Sequence, residues 1–411
     1  MNLLPQAQAL DAADPLRSAR DQFLLPEGKI YFDGNSLGAL PKRVPARVTD
    51  AVLRQWGEDL IGSWNKNNWI DLPAHVGAQI APLIGAAPDE VVACDSTSIN
   101  VFKMLVSALQ LRSDRHVIVS DIDNFPTDLY MAQGINTLLA QRFELRFVKR
   151  DQLETALQDD VAALLLTEID YRTGERLDMA SLTAQAHAVG ALAVWDLAHS
   201  TGAFPVALNA CHADFAIGCG YKYLNGGPGA PAFLFVAKKH QDHAQPILSG
   251  WMGHTAPFAF TPDYAPATGI MRFTTGTPSV LGLTALSAAL ELWQEFSIQA
   301  ARAKSLSLTN LFISAMQPLE QAHGFSCVTP LEPERRGSQV SYQHPHSYAI
   351  MQALIAQGVI GDFRAPDIVR FGFAPLYNSH TDAINAVQIL EQIMNSGMWQ
   401  QPEFNQRKKV T

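Results

Sequence analysis

Cysteine is scarce: Cys94, Cys211, Cys219 and Cys327 are the only four in 411 residues, and no two form a C-x-x-C pair. That excludes a disulfide scaffold and fits the reduced thiols of a cytosolic protein. Positive charge is also short. Thirty Lys and Arg stand against 39 Asp and Glu, a net charge of −9, which speaks against nucleic acid as the main partner. The one basic run, Arg407, Lys408 and Lys409, lies at the C-terminal end and reads as a solvated tail. No apolar run reaches the length of a membrane helix. The first twenty residues lack the basic start and apolar stretch of a signal peptide. Internal repeats and low-complexity linkers are missing too. The expectation is a soluble, cytoplasmic protein without a nucleic-acid or membrane partner.

What is present is ample core material. Apolar residues make up 47% and charged residues 17%, enough for a sizeable core and too little charge for a disordered chain. The length suits two domains. Residues 1–50 read as an arm, with a short helix near 5–22 and then the turn-rich GKIYFDGNSLGALPK segment. Val48, Val52, Trp56 and Leu60 have helical spacing over 46–60, and a further helix is expected at about 75–86. Seven apolar runs then read as strands: VVAC, HVIVSD, FELRFVK, VAALLLTEID, ALAVWDLAH, DFAIGCG and APAFLFVA. Helical patterns separate most of them, among them SINVFKMLVSALQL, LYMAQGINTLLAQ, DQLETALQD and MASLTAQAHAVG. Such alternation implies an α/β fold, with a mostly parallel seven-stranded sheet covered by helices on both faces. Long helices follow at 280–320. From about 325 the order changes to FSCVTP, GSQVSYQH, a helix at 346–357, DIVRFGF and a closing helix at 380–396, which reads as a smaller α+β C-terminal domain. The expected division is an arm over 1–50 that joins the small domain, a large domain over 51–300 and the small domain over 301–411, the last boundary falling inside a helix.

Ligands of an open α/β sheet bind at the C-terminal ends of its strands, and several reactive side chains fall there. Asp196 ends the strand ALAVWD. A carboxylate in that place serves a metal, a ribose, a helix cap or a protonated pyridinium nitrogen. His199 follows three residues later. Lys222 comes after one more strand, in GYKYLNGGPGAP. Lysine usually sits solvated on a helix. Placed after a buried strand, it loses hydration, its pKa falls and its amine is freed to attack an aldehyde. Gly226, Gly227 and Gly229 let the backbone turn close to a ligand. The series Asp-x-x-His, strand, Lys and Gly-rich turn points to pyridoxal 5'-phosphate (PLP), with Lys222 as its Schiff-base lysine and Asp196 keeping the ring nitrogen protonated. DSTSIN at 95–100 opens a helix, and its hydroxyls with free N–H groups suit a phosphate or simply cap the helix. In DNFPTD, Phe125 is placed to stack on a ring and Asp128 to reach its substituents; a Pro-containing turn is the plainer alternative. Thr167 ends the strand VAALLLT and faces the same place. Arg370, in IVRFGFAPLYNS, offers a fork for a substrate carboxylate or forms a surface ion pair. Trp64, Trp69 and Trp251 lie in Gly- and Asn-rich surroundings, fit for an aromatic pocket or for packing.

Taken together, YFDGNSLG, WNKNNW, TSIN, NFPTD, YRTGE, WDLAHS, GYKYLNGGPG, GWMGH, RFTTGTPSVL and VRFGFAPLYNS resemble the kynureninases, PLP enzymes of fold-type I, over nearly the whole chain. The resemblance implies that fold, a homodimer with shared active sites, and hydrolysis of L-kynurenine to anthranilate and L-alanine in tryptophan catabolism. It implies Lys222, Tyr221 and Asp196 as catalytic residues. It implies cofactor contacts from Thr97, Ser98, Phe125, Asp128, Thr167, His199, Trp251 and Thr277 as well, and no metal. Ser36, Trp64, Thr277 and Arg370 are then the substrate contacts, Arg370 at the carboxylate. Relatives that prefer 3-hydroxykynurenine resemble one another in carrying His and Asn near the aromatic ring. Trp64 and Thr277 stand in those places here, which implies a preference for plain kynurenine. A cysteine desulfurase or an aminotransferase of the same fold is the alternative. The former needs a thiol on a mobile loop, and Cys327 lies instead in a strand-like HGFSCVTP.

Overall fold

The computed structural model describes residues 3–407; Lys408 and Lys409 of the basic run lie outside them. In the N-terminal arm, β1 (Phe23–Leu24), β2 (Ile30–Tyr31) and β3 (Leu40–Pro41) are two-residue strands. The large sheet holds β4 (Val91–Ala93), β5 (Val117–Asp121), β6 (Glu144–Val148), β7 (Val161–Thr167), β8 (Leu192–Asp196), β9 (Phe215–Gly218) and β10 (Phe233–Val236). Their spatial order is β4-β10-β9-β8-β7-β5-β6. β9 through β6 are mutually parallel, while β10 runs antiparallel to both β9 and β4. These are the seven strands expected.

Both faces of the sheet are covered, and the side-chain period of two shows it. Ala193, Trp195, Leu164, Leu166, Phe233 and Phe235 enter one apolar cluster. Leu192, Val194, Ala163, Leu165, Leu234 and Val236 enter the cluster on the opposite face. Trp195 is wholly buried, and its indole N–H donates to Thr183 Oγ1 at 3.0 Å, so the one polar atom of that ring is satisfied. Each buried Phe of β10 contributes roughly 2 kcal/mol of transfer free energy.

A third cluster lies on the C-terminal sheet of β11 (Ser326–Cys327), β12 (Gln339–Gln343), β14 (Asp362–Arg364) and β15 (Ile368–Gly372), ordered β11-β12-β15-β14. β13 (Val359–Ile360) pairs with β2 of the arm. Phe32 packs in this C-terminal cluster, whereas Leu16, Ala19, Phe23 and Ala39 pack with the large sheet. One 26-residue helix, Ile298–His323, contributes Ile298 and Ala301 to the large cluster and Leu308, Phe312 and Met316 to the C-terminal one.

Several expected elements are shorter or broken, each for a local reason. The helix near 5–22 is two pieces, Leu4–Ala12 and Arg17–Gln22, because Pro15 disfavours a helical Asp14. The helix expected at 46–60 starts earlier, at Arg43, and passes into a wider turn over Ala51–Trp56. The next helix spans Leu72–Ile80 and tightens at Ala81–Ile84 around Pro82, which has no N–H to give. DQLETALQD begins in the tight turn Arg150–Gln152 and adds one α-helical turn, Leu153–Ala156. Arg407 is more than a solvated tail residue, since its guanidinium lies over the rings of Tyr348 and Phe363, 5.8 and 5.7 Å from their centroids. All four cysteines are free thiols.

Candidate active site

Parallel register brings the strand ends together. Thr167 and Asp196 are partners across β7 and β8, and Asp196 pairs with Ile217 of β9. The chain leaving β9 reaches Lys222 four residues beyond Gly218. It then turns through Asn225, Gly227 and Gly229, all with φ near or above +58°. Asn225 N donates to Lys222 O at 2.9 Å and Gly226 N to Gly220 O at 2.9 Å. The lysine therefore sits on a closed turn, not on a free loop.

Lys222 Nζ stands 2.8 Å from His199 Nε2. Burial, with Arg370 and Arg364 nearby, lowers the lysine's pKa, while Cys219 and Asp196 oppose the fall. Burial and the positive field of Lys222 hold His199 well below the usual histidine range. In both groups burial disfavours the charged form, so the lysine's amine gives up its proton more easily than a solvated one. Tyr221 lies beside it, its ring centroid 5.9 Å from Lys222 Nζ. Burial raises the phenol's pKa, so this hydroxyl keeps its proton at neutral pH.

Asp196 is 2% exposed, and Oδ1 accepts from Ala198 N at 2.6 Å. Its carboxyl is hydrogen-bonded to that of Asp128, and burial raises both. Asp128 lies in the first turn of the Pro126–Leu138 helix. Thr167 Oγ1 donates to Asp128 Oδ2 at 3.3 Å and also bonds Asn124. Phe125 caps that helix and meets Tyr171 edge-on, centroids 5.3 Å apart. Thr97 and Ser98 open the Thr97–Leu111 helix after β4, with Ser96 as its cap.

These residues fit PLP. Asp128 Oδ1 and Thr201 Oγ1 are buried without a hydrogen-bond partner, and such groups await one. Two buried carboxyls side by side are better placed against a protonated ring nitrogen than against each other. The first turn of the Thr97–Leu111 helix offers hydroxyls and free N–H groups to a phosphate.

Arg370 resolves against the surface ion pair. It is 1% exposed, its Nε donates to Asp362 Oδ1 at 2.8 Å, and Nη2 donates to Ser36 Oγ at 2.9 Å and to Asp362 Oδ2. Nη1 donates to the Tyr171 carbonyl. Ser36 comes from the arm, whose Gly38 N donates to Tyr221 O at 2.8 Å. The arm thus ties the lysine turn to the C-terminal sheet. Asp33, Asp362, Arg364, Tyr171 and Asn124 were not singled out by motif. A period-two reading of the D-F-R segment would have found two of them, since it places Asp362 and Arg364 on one face of β14.

Trp64, Trp251 and Thr277 stand apart from this cluster. Trp64 packs on Trp69 at 6.2 Å between centroids, and Trp251 packs on Phe258 and Phe260. Thr277 lines a cavity of about 370 Å3 with Cys94, Asp95 and Thr275, and none of Lys222, His199 or Asp196 borders it.

A family model described as the kynureninase C-terminal domain matches residues 301–390. The kynureninase of Burkholderia mallei is 47% identical over 416 residues, covering 100% of each chain. That of Deinococcus radiodurans is 55% identical over 397 residues, covering 95% of this chain and 96% of its own. Among solved structures, the apo cysteine desulfurase of Thermococcus onnurineus NA1 matches with a TM-score of 0.76 at 20% identity, over 92% of this chain and 98% of that one. That likeness shows the fold expected, the fold-type I architecture, and nothing finer. Identity of about half along the full length goes further than architecture: the chain belongs to the kynureninase family.

Proposed function

We propose that this chain is a PLP-dependent hydrolase acting on a carbon–carbon bond next to a ketone, which converts L-kynurenine to anthranilate and L-alanine. The observation that carries the reading is the buried pair Lys222–His199, 2.8 Å apart, beside the two buried carboxyls of Asp196 and Asp128. PLP, when bound, supplies an aldehyde that captures amines and a protonated ring that accepts an electron pair.

Lys222 would hold the cofactor's aldehyde, and its amine, when free, is the base suited to the substrate's α-proton. Asp196 keeps the ring nitrogen protonated, and Asp128 and Thr167 hold Asp196 in place. Tyr221, with its retained proton, is the acid suited to the ketone oxygen as water adds. Phe125 would pack against the cofactor's ring, and Thr97, Ser98 and Ser36 would serve the phosphate and the substrate end.

A homodimer completes the site in this reading. Trp56, Leu60, Ile61, Phe258 and Phe260 are each more than half exposed, an apolar surface of the kind a partner covers. A second copy would bring Trp251 and Thr277 to the phosphate and aromatic ends, which agrees with their distance from this chain's own lysine. Trp64 in place of His, and Thr277 in place of Asn, favour plain kynurenine over its 3-hydroxy form. The cysteine desulfurase alternative gains no support. Cys327 lies in β11, and burial raises its thiol's pKa, the reverse of an activated thiol.

The test is to add L-kynurenine to the PLP-loaded protein and follow anthranilate fluorescence. Release of anthranilate and alanine without a keto-acid co-substrate supports the reading; absence of release ends it. A larger kcat/KM for 3-hydroxykynurenine would end the specificity proposal alone.

A further inference from the structure

The YRTGE segment, residues 171–175, takes no direct part in the chemistry above. It follows β7, the DNFPTD segment follows β5, and Arg150 stands between the two. Nε and Nη2 of Arg150 donate to Asp121 Oδ2 at 2.9 and 2.8 Å. Nη2 also donates to Asp170 Oδ2 at 2.8 Å, and Nη1 to Glu175 Oε2 at 2.7 Å. Each aspartate turns its other oxygen to its own loop. Asp121 Oδ1 accepts from Asp123 N at 3.0 Å, and Asp170 Oδ1 accepts from Arg172 N and Thr173 N at 2.8 and 2.7 Å. The two side chains are 3% and 6% exposed, and among the described residues neither has another ion pair.

Both loops lead to the site. Past Asp121, Asn124 bonds Thr167, and Phe125 N donates to Asn124 Oδ1 at 2.8 Å. Past Asp170, the Tyr171 ring meets Phe125 edge-on, and the Tyr171 carbonyl accepts from Arg370 Nη1 and, at 3.2 Å, from Gln339 Nε2. Thr329 Oγ1 donates to Thr173 O, and Arg335 Nη2 donates to Glu175 Oε1 at 2.6 Å, so residues of the C-terminal part hold the segment from the other side. A planar guanidinium presents five donors in a fixed fork and can serve three carboxylates at once; a compact ammonium on a flexible stem fixes no such geometry.

Resting on the cofactor reading above, we infer that Arg150 is a positioning residue: it clamps the two loops that set Phe125 against the PLP ring and tie that contact, through Tyr171, to the C-terminal sheet. The role is exercised through Asp121, Asp170 and Glu175.

In the experiment, the PLP-loaded enzyme is equilibrated against a series of PLP concentrations. Bound cofactor is read by visible absorbance and circular dichroism, and turnover of L-kynurenine is measured alongside. For Arg150→Gln, the Kd for PLP should rise about tenfold, with a weakened visible dichroism band. Arg150→Lys should restore part of both. Arg146→Gln is the control: Arg146, in β6, also holds two carboxylates, Asp160 at 2.7 Å and Glu144 at 2.9 Å, but neither belongs to these loops. It should keep wild-type PLP affinity and dichroism. Unchanged affinity and dichroism in Arg150→Gln overturn the inference, and so does an equal loss in Arg146→Gln, which would mark a general effect of lost ion pairs. Should Arg150→Gln not fold, Arg150→Lys decides: intermediate affinity with a weakened band supports the clamp, and wild-type values of both refute it. A wild type that binds PLP but releases no anthranilate refutes the reaction instead, and PLP affinity still reads Arg150 independently.

Discussion

Lys222 Nζ lies 2.8 Å from His199 Nε2, a hydrogen bond between two buried groups. Burial lowers both pKa values, so the imidazole is held uncharged and the amine loses its proton more easily than a solvated lysine, as attack on an aldehyde requires. Lys222→Ala is therefore expected to lose turnover by more than about a thousandfold, since the covalent and the proton-transfer roles vanish together. Anthranilate fluorescence measures the loss. Borohydride trapping and peptide mapping should label Lys222 in the wild type; label on another lysine would refute the assignment.

Gly38 presses on the same turn. A Cβ there would fall 2.2 Å from Lys222 O and 2.4 Å from Asn225 Oδ1. Backbone oxygen cannot yield as a flexible side chain does. Gly38→Ala is expected to cost about 1–3 kcal/mol in urea unfolding and to weaken PLP retention. Unchanged stability together with unchanged retention would show that the arm gives way freely.

Asp33 predicts a pH effect with a definite sign. Burial and Asp362 raise its folded pKa to about 7, against the help of Ser36 and Arg370. A raised carboxyl favours the fold when protonated. Its contribution is full below the unfolded pKa of about 4 and is lost as pH rises through about 7. Between those limits the wild type should lose about 4 kcal/mol more than Asp33→Asn, measured by urea unfolding at a series of pH values. Parallel pH profiles for the two proteins would contradict the assignment.

Asp214 acts in the opposite sense. It is fully buried at the start of β9 and accepts from Ala193 N at 2.9 Å. His187, His240 and Lys239 contact it at 2.7, 2.8 and 2.8 Å. Burial works against its ionisation, but these partners outweigh burial and hold its pKa far below the usual carboxylate range. A depressed pKa gives stability that is present above the unfolded pKa of about 4 and lost as pH falls below it. Asp214→Asn should cost about 3 kcal/mol at pH 7, and the gap to the wild type should narrow in acid. Thermal unfolding at pH 7 and in acid separates the outcomes.

The large sheet was legible because its strands are continuous apolar runs and its helices alternate with them. The meeting of Asp196, Lys222 and Thr167 was legible because a strand end is a place that apolar patterning marks; Asp128, in the first turn of a helix, was read from the DNFPTD segment. The substrate side was less so. Asp33, Asp362 and Arg364 come from segments more than three hundred residues apart, and only pairing between the arm and the C-terminal sheet unites them. Hydrophobic period says nothing about such pairing. Arg370 was found as a residue but not as a buried one, since its partner Asp362 sits in a three-residue strand too short to show a pattern. Element ends shifted wherever a proline or a wide turn interrupted the helical spacing.

The arm has a temporal consequence. Ser36 and Gly38 leave the ribosome more than three hundred residues before the partners of Ser36 in β14 and β15. Chains are made in order, and contacts of such wide separation form late. A nascent chain can build the sheet that carries Lys222 long before Ser36 has anything to bind, so the tie between the lysine turn and the C-terminal sheet must wait until β14 and β15 have been made.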